Sequence, residues 1–504
     1  MATELLGNLA LGLATAVTLQ NLSYCFLGVL LGTLIGVLPG IGPVATIAML
    51  LPITYALEPT SALIMLAGIF YGAQYGGSTT AILVNLPGEA SSVVTCIDGY
   101  QLARQGRAGP ALAIAAIASF VAGTIATIIC VLLAAPLAAI ATRFGPAEYF
   151  ALMVLGLVGA VVIAHGSVLK AVAMVIVGLI LGLVGLDVNS GELRFTFGVT
   201  ELYDGIGFIA LAVGMFAIAE IVTNLQQREK REVFTDRVGS LMPSRDDLKQ
   251  SAMPIARGTL VGSLLGILPA GGAVLASFAS YAMEKRLARD PSRFGKGAIE
   301  GVAGPESANN AGAQTCFIPM LTLGIPPNVV MALMIGAMMM HNIQPGPQVM
   351  TKNPELFWGL IASMWLGNLM LVVLNLPLVG IWVRLLSIPY RFLYPAIILF
   401  SCIGVYTLSN SIFDARLIVL FGALGYLLAK IGCEPAPMLL GFILGPMMEE
   451  FFRRALLISR GDFIVFVDSP ISAGLLAIAT ALLVSMSLPA IAQWRGKVTA
   501  EQNS

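Results

Sequence analysis

The sequence predicts an all-α polytopic membrane protein built from two structural repeats, inverted in topology, each holding a broken, re-entrant helical hairpin. Three observations carry this. Of 504 residues, 58% are hydrophobic and 11% charged, with a mean hydropathy of +0.90, against roughly 25% charged in soluble domains. An apolar run, Gly28 to Pro43 (GVLLGTLIGVLPGIGP), is interrupted by Pro39-Gly40-Ile41-Gly42-Pro43, yet apolar sequence continues to Leu57. That run returns as Gly258 to Gly272 (GTLVGSLLGILPAGG), with Gly28, Gly32, Gly36, Leu38, Pro39 and Gly42 falling on Gly258, Gly262, Gly266, Leu268, Pro269 and Gly272.

Each element follows from local chemistry. Proline lacks a donor and bars a regular helix, and glycine admits backbone geometries that other residues avoid, so the two Pro-Gly runs break a helix inside apolar sequence. A second internal match sets Val84-Asn85-Leu86-Pro87-Gly88-Glu89 beside Leu323-Gly324-Ile325-Pro326-Pro327-Asn328. Further helices are expected near 60–75, 109–135, 147–165, 168–186, 203–224, 326–343, 356–384, 392–410, 413–431, 434–448 and 471–493, some of them shorter than a full crossing, making roughly 10–12 transmembrane segments. The expected division is a first repeat at 1–225, a cytoplasmic linker at 226–257, a second repeat at 258–460, and a C-terminal transmembrane helix and tail at 461–504.

Basic residues orient the chain. None precedes Arg104; they concentrate between Arg228 and Arg257 and between Lys285 and Lys296, with others at Arg453, Arg454, Arg460, Arg495 and Lys497. The positive-inside rule makes these loops cytoplasmic, and the C-terminus with them. The apolar pieces on either side of Pro269 are about a dozen residues each, short of the ~20 a crossing needs, so Gly258 to Met283 reads as a hairpin returning to its own side. The first copy, with no basic flank, would enter from the opposite side. A broken helix that crosses fully is the competing reading.

Formal net charge is zero and the six cysteines form no CxxC or His-Cys cluster, which excludes a nucleic-acid binder and gives no transition-metal site and no organic cofactor. There is no Walker loop, HExxH or GxSxG. An enzyme is not expected, and energy must come from an ion gradient or another subunit.

Non-helical backbone at membrane depth is tolerated where it is buried or lines a cavity, and the start of a half-helix presents N–H groups that favour anions. Repeats with paired broken helices are the pattern of secondary transporters, with ligand at the midplane. The candidate substrate residues are therefore Gly40, Ile41, Gly42, Gly271 and Gly272 by close backbone approach, Gly88 and Gly324 in the second breaks, and Ser78, Thr79, Asn85, Asn309 and Asn310 by side chain. Thr80, Glu306 and Asn328 are candidate ion ligands. Small polar residues also glue membrane helices together, which is the plainer reading of each. Glu89 is a further candidate carboxylate. Asp98 reads as a helix end in water, His165 as interfacial, and His341 as a helix end beside a methionine stripe.

The runs GVLPGIGPVATIAMLLP, YGGSTTAILVNLPGEASSVVTCIDGY and PESANNAGAQ, followed by IPMLTLGIPPN, resemble the large membrane subunit of the tripartite tricarboxylate transporters, the TctA type, over nearly the whole chain in order. That resemblance implies a multi-pass permease of the bacterial inner membrane. It would work with a small membrane subunit (TctB type) and a periplasmic solute-binding protein (TctC type), taking up citrate or other carboxylates with Na+. The family motifs map onto Pro39 to Pro43, Tyr75 to Ser78, Asn85 to Glu89, Glu306 to Asn310 and Gly324 to Pro326. Pro327 stands where the family usually has glycine, which removes one backbone donor. The alternatives are a stand-alone ion-coupled carrier, a channel, or a membrane-embedded hydrolase, the last opposed by the lack of a histidine near Ser78.

Overall fold

Prolines and capping side chains set many of the helix starts. In the computed structural model, which describes residues 2–38, 42–141, 143–164, 167–187, 190–226, 240–268, 272–385, 398–399, 402–403, 406 and 411–486, Pro43, Pro59, Pro146, Pro354 and Pro435 each open a helix at its first position, where the missing N–H costs nothing and φ is preset. Thr18 accepts from the Asn21 amide, and Ser244 and Asp247 cap each other's amides.

The chain begins with α1 (Ala2–Ala16), α2 (Leu19–Val37), α3 (Pro43–Tyr55) and a long α4 (Pro59–Val84). There follow α5 (Val93–Arg104), α6 (Ala108–Ala141), α7 (Pro146–Ile163) and α8 (Val168–Gly182). A two-stranded antiparallel hairpin, β1 (Gly185–Leu186) and β2 (Leu193–Arg194), pairs Gly185 with Arg194 and Leu186 with Leu193. Then α9 (Phe208–Ala212) runs through a π-helical turn, Val213–Ile218, into α10 (Ala219–Gln226).

Beyond the linker come α11 (Arg245–Ile267), α12 (Gly272–Leu287), α13 (Glu300–Thr315), α14 (Phe317–Leu323) and α15 (Val329–Met340). The rest is α16 (Gln348–Lys352), α17 (Pro354–Asn375), α18 (Val379–Leu385), α19 (Ile412–Lys430), α20 (Pro435–Ile458), α21 (Val465–Asp468) and α22 (Pro470–Met486). Among the described residues, four helices are long and apolar enough to cross a membrane by length and composition: Leu19–Val37, Ala108–Ile140, Pro354–Asn375 and Ile412–Lys430. The expected segment 392–410 lies largely outside the described residues.

Glycine spacing dictates the closest packing. A Cβ at Gly28, Gly32 or Gly36 of α2 would collide with the carbonyl oxygens of Met65, Ile69 and Ala73 on α4. A Cβ at Gly258, Gly262 or Gly266 of α11 would collide with those of Gly304, Ala308 and Gly312 on α13. Lipid supplies no hydrophobic drive between helices, so close backbone approach is what joins them. This packing also explains why α4 runs on to Val84, past the expected end near 75: Tyr75 to Thr80 stay helical and buried under α2.

Both helix pairs double back. At the outer end of α2, Ser61 on α4 donates to Asn21 Oδ1 at 2.6 Å, while α3 ends at Tyr55, four residues before α4 starts. In the other pair, Arg257 of α11 donates from Nε to Glu284 of α12 at 2.8 Å.

Arg453 pairs with Asp187 at 3.1 Å, and Arg194 with Glu449 at 2.9 Å, so the end of α20 sits beside the β-hairpin. From that hairpin, Phe208 to Gln226 carries the chain away to the linker through about 28 Å of helix at 1.5 Å per residue. Arg453 and Arg454 therefore lie at the end of these helices away from Gln226. Acids satisfy them there: Asp187 and Glu449 for Arg453, and Glu450 for Arg454. On the linker side Arg107 meets Asp247 at 2.5 Å. Burial pushes the Asp247 carboxyl up, but Arg107 and Ser244 outweigh it and hold it below the usual carboxylate range.

Candidate functional site

The four breaks in the sequence converge. A cavity of about 480 Å³ is lined by Gly42 to Val44 at the start of α3, Pro87 to Ser91 after α4, Gly272 to Val274 at the start of α12, and Asn328 to Val330 at the start of α15. The far wall comes from Ala160 and Ala164 of the α7 region, Glu220 of α10, and Glu434, Pro437 and Leu440 around the start of α20.

Local rules build the rim. α4 ends in Asn85 (φ 57°, ψ 30°) and α14 in Gly324 (φ 71°, ψ 24°), both left-handed, with Pro87 and Pro326 two residues on. That is how a helix is stopped and prevented from resuming. Glu89 and Asn328 then open the next turns, both with φ −151°, and Asn328 Oδ1 accepts from the Met331 amide at 2.9 Å. At the first hairpin tip, the Gly42 amide donates to Glu220 Oε1 at 2.8 Å. At the second, Gly272 takes φ +59°, which suits glycine.

Of the residues expected to hold substrate, Gly42, Gly88 and Gly272 line this cavity, as does Asn328. Gly40, Ile41 and Gly271 lie outside the described residues. Asn85 and Gly324 act as the helix caps just described.

Ser78, Glu306, Asn309 and Asn310 belong to a buried polar network that meets the cavity lining at Glu89 and Ser91. Ser78 donates to Glu306 Oε2 at 2.7 Å, Thr95 donates to Oε1, and Ser119 reaches Oε2 at 3.4 Å. Asn310 donates to Ser119 Oγ at 2.7 Å and to the Glu306 carbonyl at 3.1 Å. Asn309 donates to Glu89 Oε1 at 3.2 Å, and Ser91 donates to the same oxygen. Thr79 donates back to the Tyr75 carbonyl at 3.4 Å. Thr80 donates to the Val37 carbonyl at 2.9 Å, capping the end of α2. A buried carboxylate is tolerable because hydroxyls surround it.

Asp98 is not in water. It is fully buried, its Oδ1 accepting from the amides of Gly295, Gly297 and Ala298 at 2.8–2.9 Å and its Oδ2 from Tyr281 at 2.9 Å. Folding a basic loop over the end of α5 supplied three donors that the local sequence does not announce. His341 stacks on Tyr55 with ring centroids 5.8 Å apart. His165 lies outside the described residues.

Sequence reading missed Glu220 and Glu434. The signal for Glu220 was present: it is the sole charged residue between Gly205 and Gln226, and buried membrane carboxylates are rarely idle. Among the described residues, the lining carries three carboxylates, Glu89, Glu220 and Glu434, and no Lys, Arg or His. Such a site offers an anion neutral donors from amides, Ser91 and Gln74, and offers cations the carboxylates. Among the described residues there is no group of three or more His, Cys, Asp or Glu fit to hold a metal ion.

The sequence model of the Tripartite tricarboxylate transporter TctA family matches residues 22–440. Two Agrobacterium vitis proteins are similar. An "Uncharacterized 52.8 kDa protein in TAR-I ttuC' 3'region" is 60% identical over 500 residues, 99% of this chain and 100% of that one. An "Uncharacterized protein in TAR-II ttuC' 3'region" is 60% identical over 242 residues, 48% of this chain and 100% of that one. No solved structure matches the chain.

Proposed function

Because this chain belongs to the tripartite tricarboxylate transporter TctA family, we propose that it is the permease subunit of a binding-protein-dependent secondary transporter of the bacterial inner membrane. It imports citrate or another di- or tricarboxylate with Na+. A TctB-type membrane subunit and a TctC-type periplasmic protein complete the system.

The observation that carries this reading is the cavity into which all four breaks open. In secondary transporters, half-helix starts hold anionic groups and unwound carbonyls hold the coupling cation. Here the starts of α3, α12 and α15 offer the amides. The carboxylates in the lining offer compensation for the cation that must accompany an anion into a site without a basic side chain. The α2–α3 and α11–α12 pairs are read as re-entrant hairpins of two inverted repeats, entering from opposite faces and meeting at the cavity. The doubled-back ends at Ser61 and at Glu284 support that reading. The Glu306 network and the Asp98 clamp tie the two hairpins into one body, suited to moving as a unit against α7–α10, α19 and α20.

The test is uptake of radiolabelled citrate by proteoliposomes holding this chain and its TctB-type subunit, under an inward sodium gradient, with and without the TctC-type protein. Uptake that requires both sodium and the binding protein is expected, with the best substrate drawn from a panel of di- and tricarboxylates. Uptake indifferent to the binding protein would instead make this a stand-alone carrier, and no uptake of any carboxylate would overturn the assignment.

A further inference from the structure

Glu220 does something that packing does not require. Its Oε1 sits 2.8 Å from the amide of Gly42, the residue that caps α3 and has no side chain of its own to do so. A carboxylate thus already occupies the amide end of a half-helix inside the cavity. Glu434 stands at the start of α20, whereas Glu306 and Glu89 have partners in the body that carries the hairpins. Glu306 is held by Ser78, Thr95 and Ser119, and Glu89 by Ser91 and Asn309. Glu220 comes from outside that body: α10 packs on α19, and the π-helical turn Val213–Ile218 just before it packs on α3 and α19. Such π-turns are frequent at functional positions because they rotate the residues that follow. The bond is therefore a contact between the start of α3 and the surrounding helices.

We propose that Glu220 is an internal surrogate for the substrate's carboxylate. In the empty carrier it holds the Gly42 N–H and pins the first hairpin tip to α10, and an incoming carboxylate takes that amide and displaces it. The two carboxylates exclude each other, since one amide hydrogen serves one of them and like charges at that distance repel. Glu220 thereby sets a threshold that weak anions do not pass. The exchange also ties release of the tip to occupation of the site. This proposal rests on the carboxylate-transport reading above.

The test is equilibrium binding of citrate, and of the best carboxylate from the uptake panel, to the purified complex with its TctB-type subunit. Wild type is compared with Glu220→Ala and Glu220→Gln. Removing the competitor should tighten binding in E220A by about tenfold, the scale of one net hydrogen bond to a charged group. E220Q keeps an acceptor oxygen without its charge and should fall between. A residue needed only for folding, or one that contacts substrate favourably, would weaken binding when removed. Equal or weaker binding by both variants therefore overturns the proposal. If E220A does not fold, E220Q alone decides it by the same sign. Absence of carboxylate binding by wild type would refute the transport reading itself, and so separates the two failures.

Discussion

Glu306 shows what a single residue does here. It is fully buried on α13 and accepts from Ser78 of α4, Thr95 of α5 and Ser119 of α6, so one carboxylate joins four helices of two halves. Glu306→Ala leaves those hydroxyls without their acceptor and should cost roughly 2–4 kcal/mol of stability, read as a lowered thermal unfolding midpoint in detergent. Glu306→Gln keeps an acceptor and should cost less. An E306A protein as stable as wild type would mean that the network does not tie the halves. The sequence marked Ser78, Asn310 and Glu306 as polar residues at depth but did not reveal that they bond to each other. Which partners meet depends on packing between segments more than 180 residues apart, and nothing local encodes it.

At the scale of elements, glycine position separates packing from mere flexibility. Gly32→Ala places a methyl against the Ile69 carbonyl, and Gly262→Ala places one against Ala308. Each should destabilise the protein by about 1–3 kcal/mol, the usual cost of overpacking. Gly7 and Gly474 have open space around them, so Ala there should be neutral or stabilising by up to ~1 kcal/mol. The same thermal assay checks all four, and equal effects would show that the glycine stripes are not interfaces. This part of the fold was legible because a four-residue spacing repeats in sequence and packs as it reads. The caps at Asn85 and Gly324 were legible for the same reason, each with its proline two residues on. α1, α5 and α13 were not: α13 (EGVAGPESANNAGAQT) has little apolar character and is helical because α11, α12 and α6 enclose it.

For the whole molecule, the geometry sets the end of α20 and the β-hairpin on one face, with the linker, α12's outer end and the loop that clamps Asp98 on the other. Single cysteines at Phe197 and Leu287, which are 88% and 58% exposed, should then react with a membrane-impermeant maleimide from opposite sides of sealed vesicles. Labelling of both from one side would contradict the arrangement. Charge counting alone does not reveal which end of the fold Arg453 and Arg454 occupy; their acidic partners Asp187, Glu449 and Glu450 do. The cavity was partly legible: its rim follows from the four breaks, whereas Glu220 and Glu434 come from helices that only the tertiary fold brings to it.

We propose that the cavity bounded by Gly42, Glu89, Gly272 and Asn328 holds the transported carboxylate. An electron cryomicroscopy map of the permease, with its TctB-type subunit and saturated with the carboxylate that uptake identifies, tests this directly. Ligand density is expected in that cavity, with Glu220 moved off the Gly42 amide. Density beside Ser78 and Thr79, with the cavity unchanged from the ligand-free map, would contradict it.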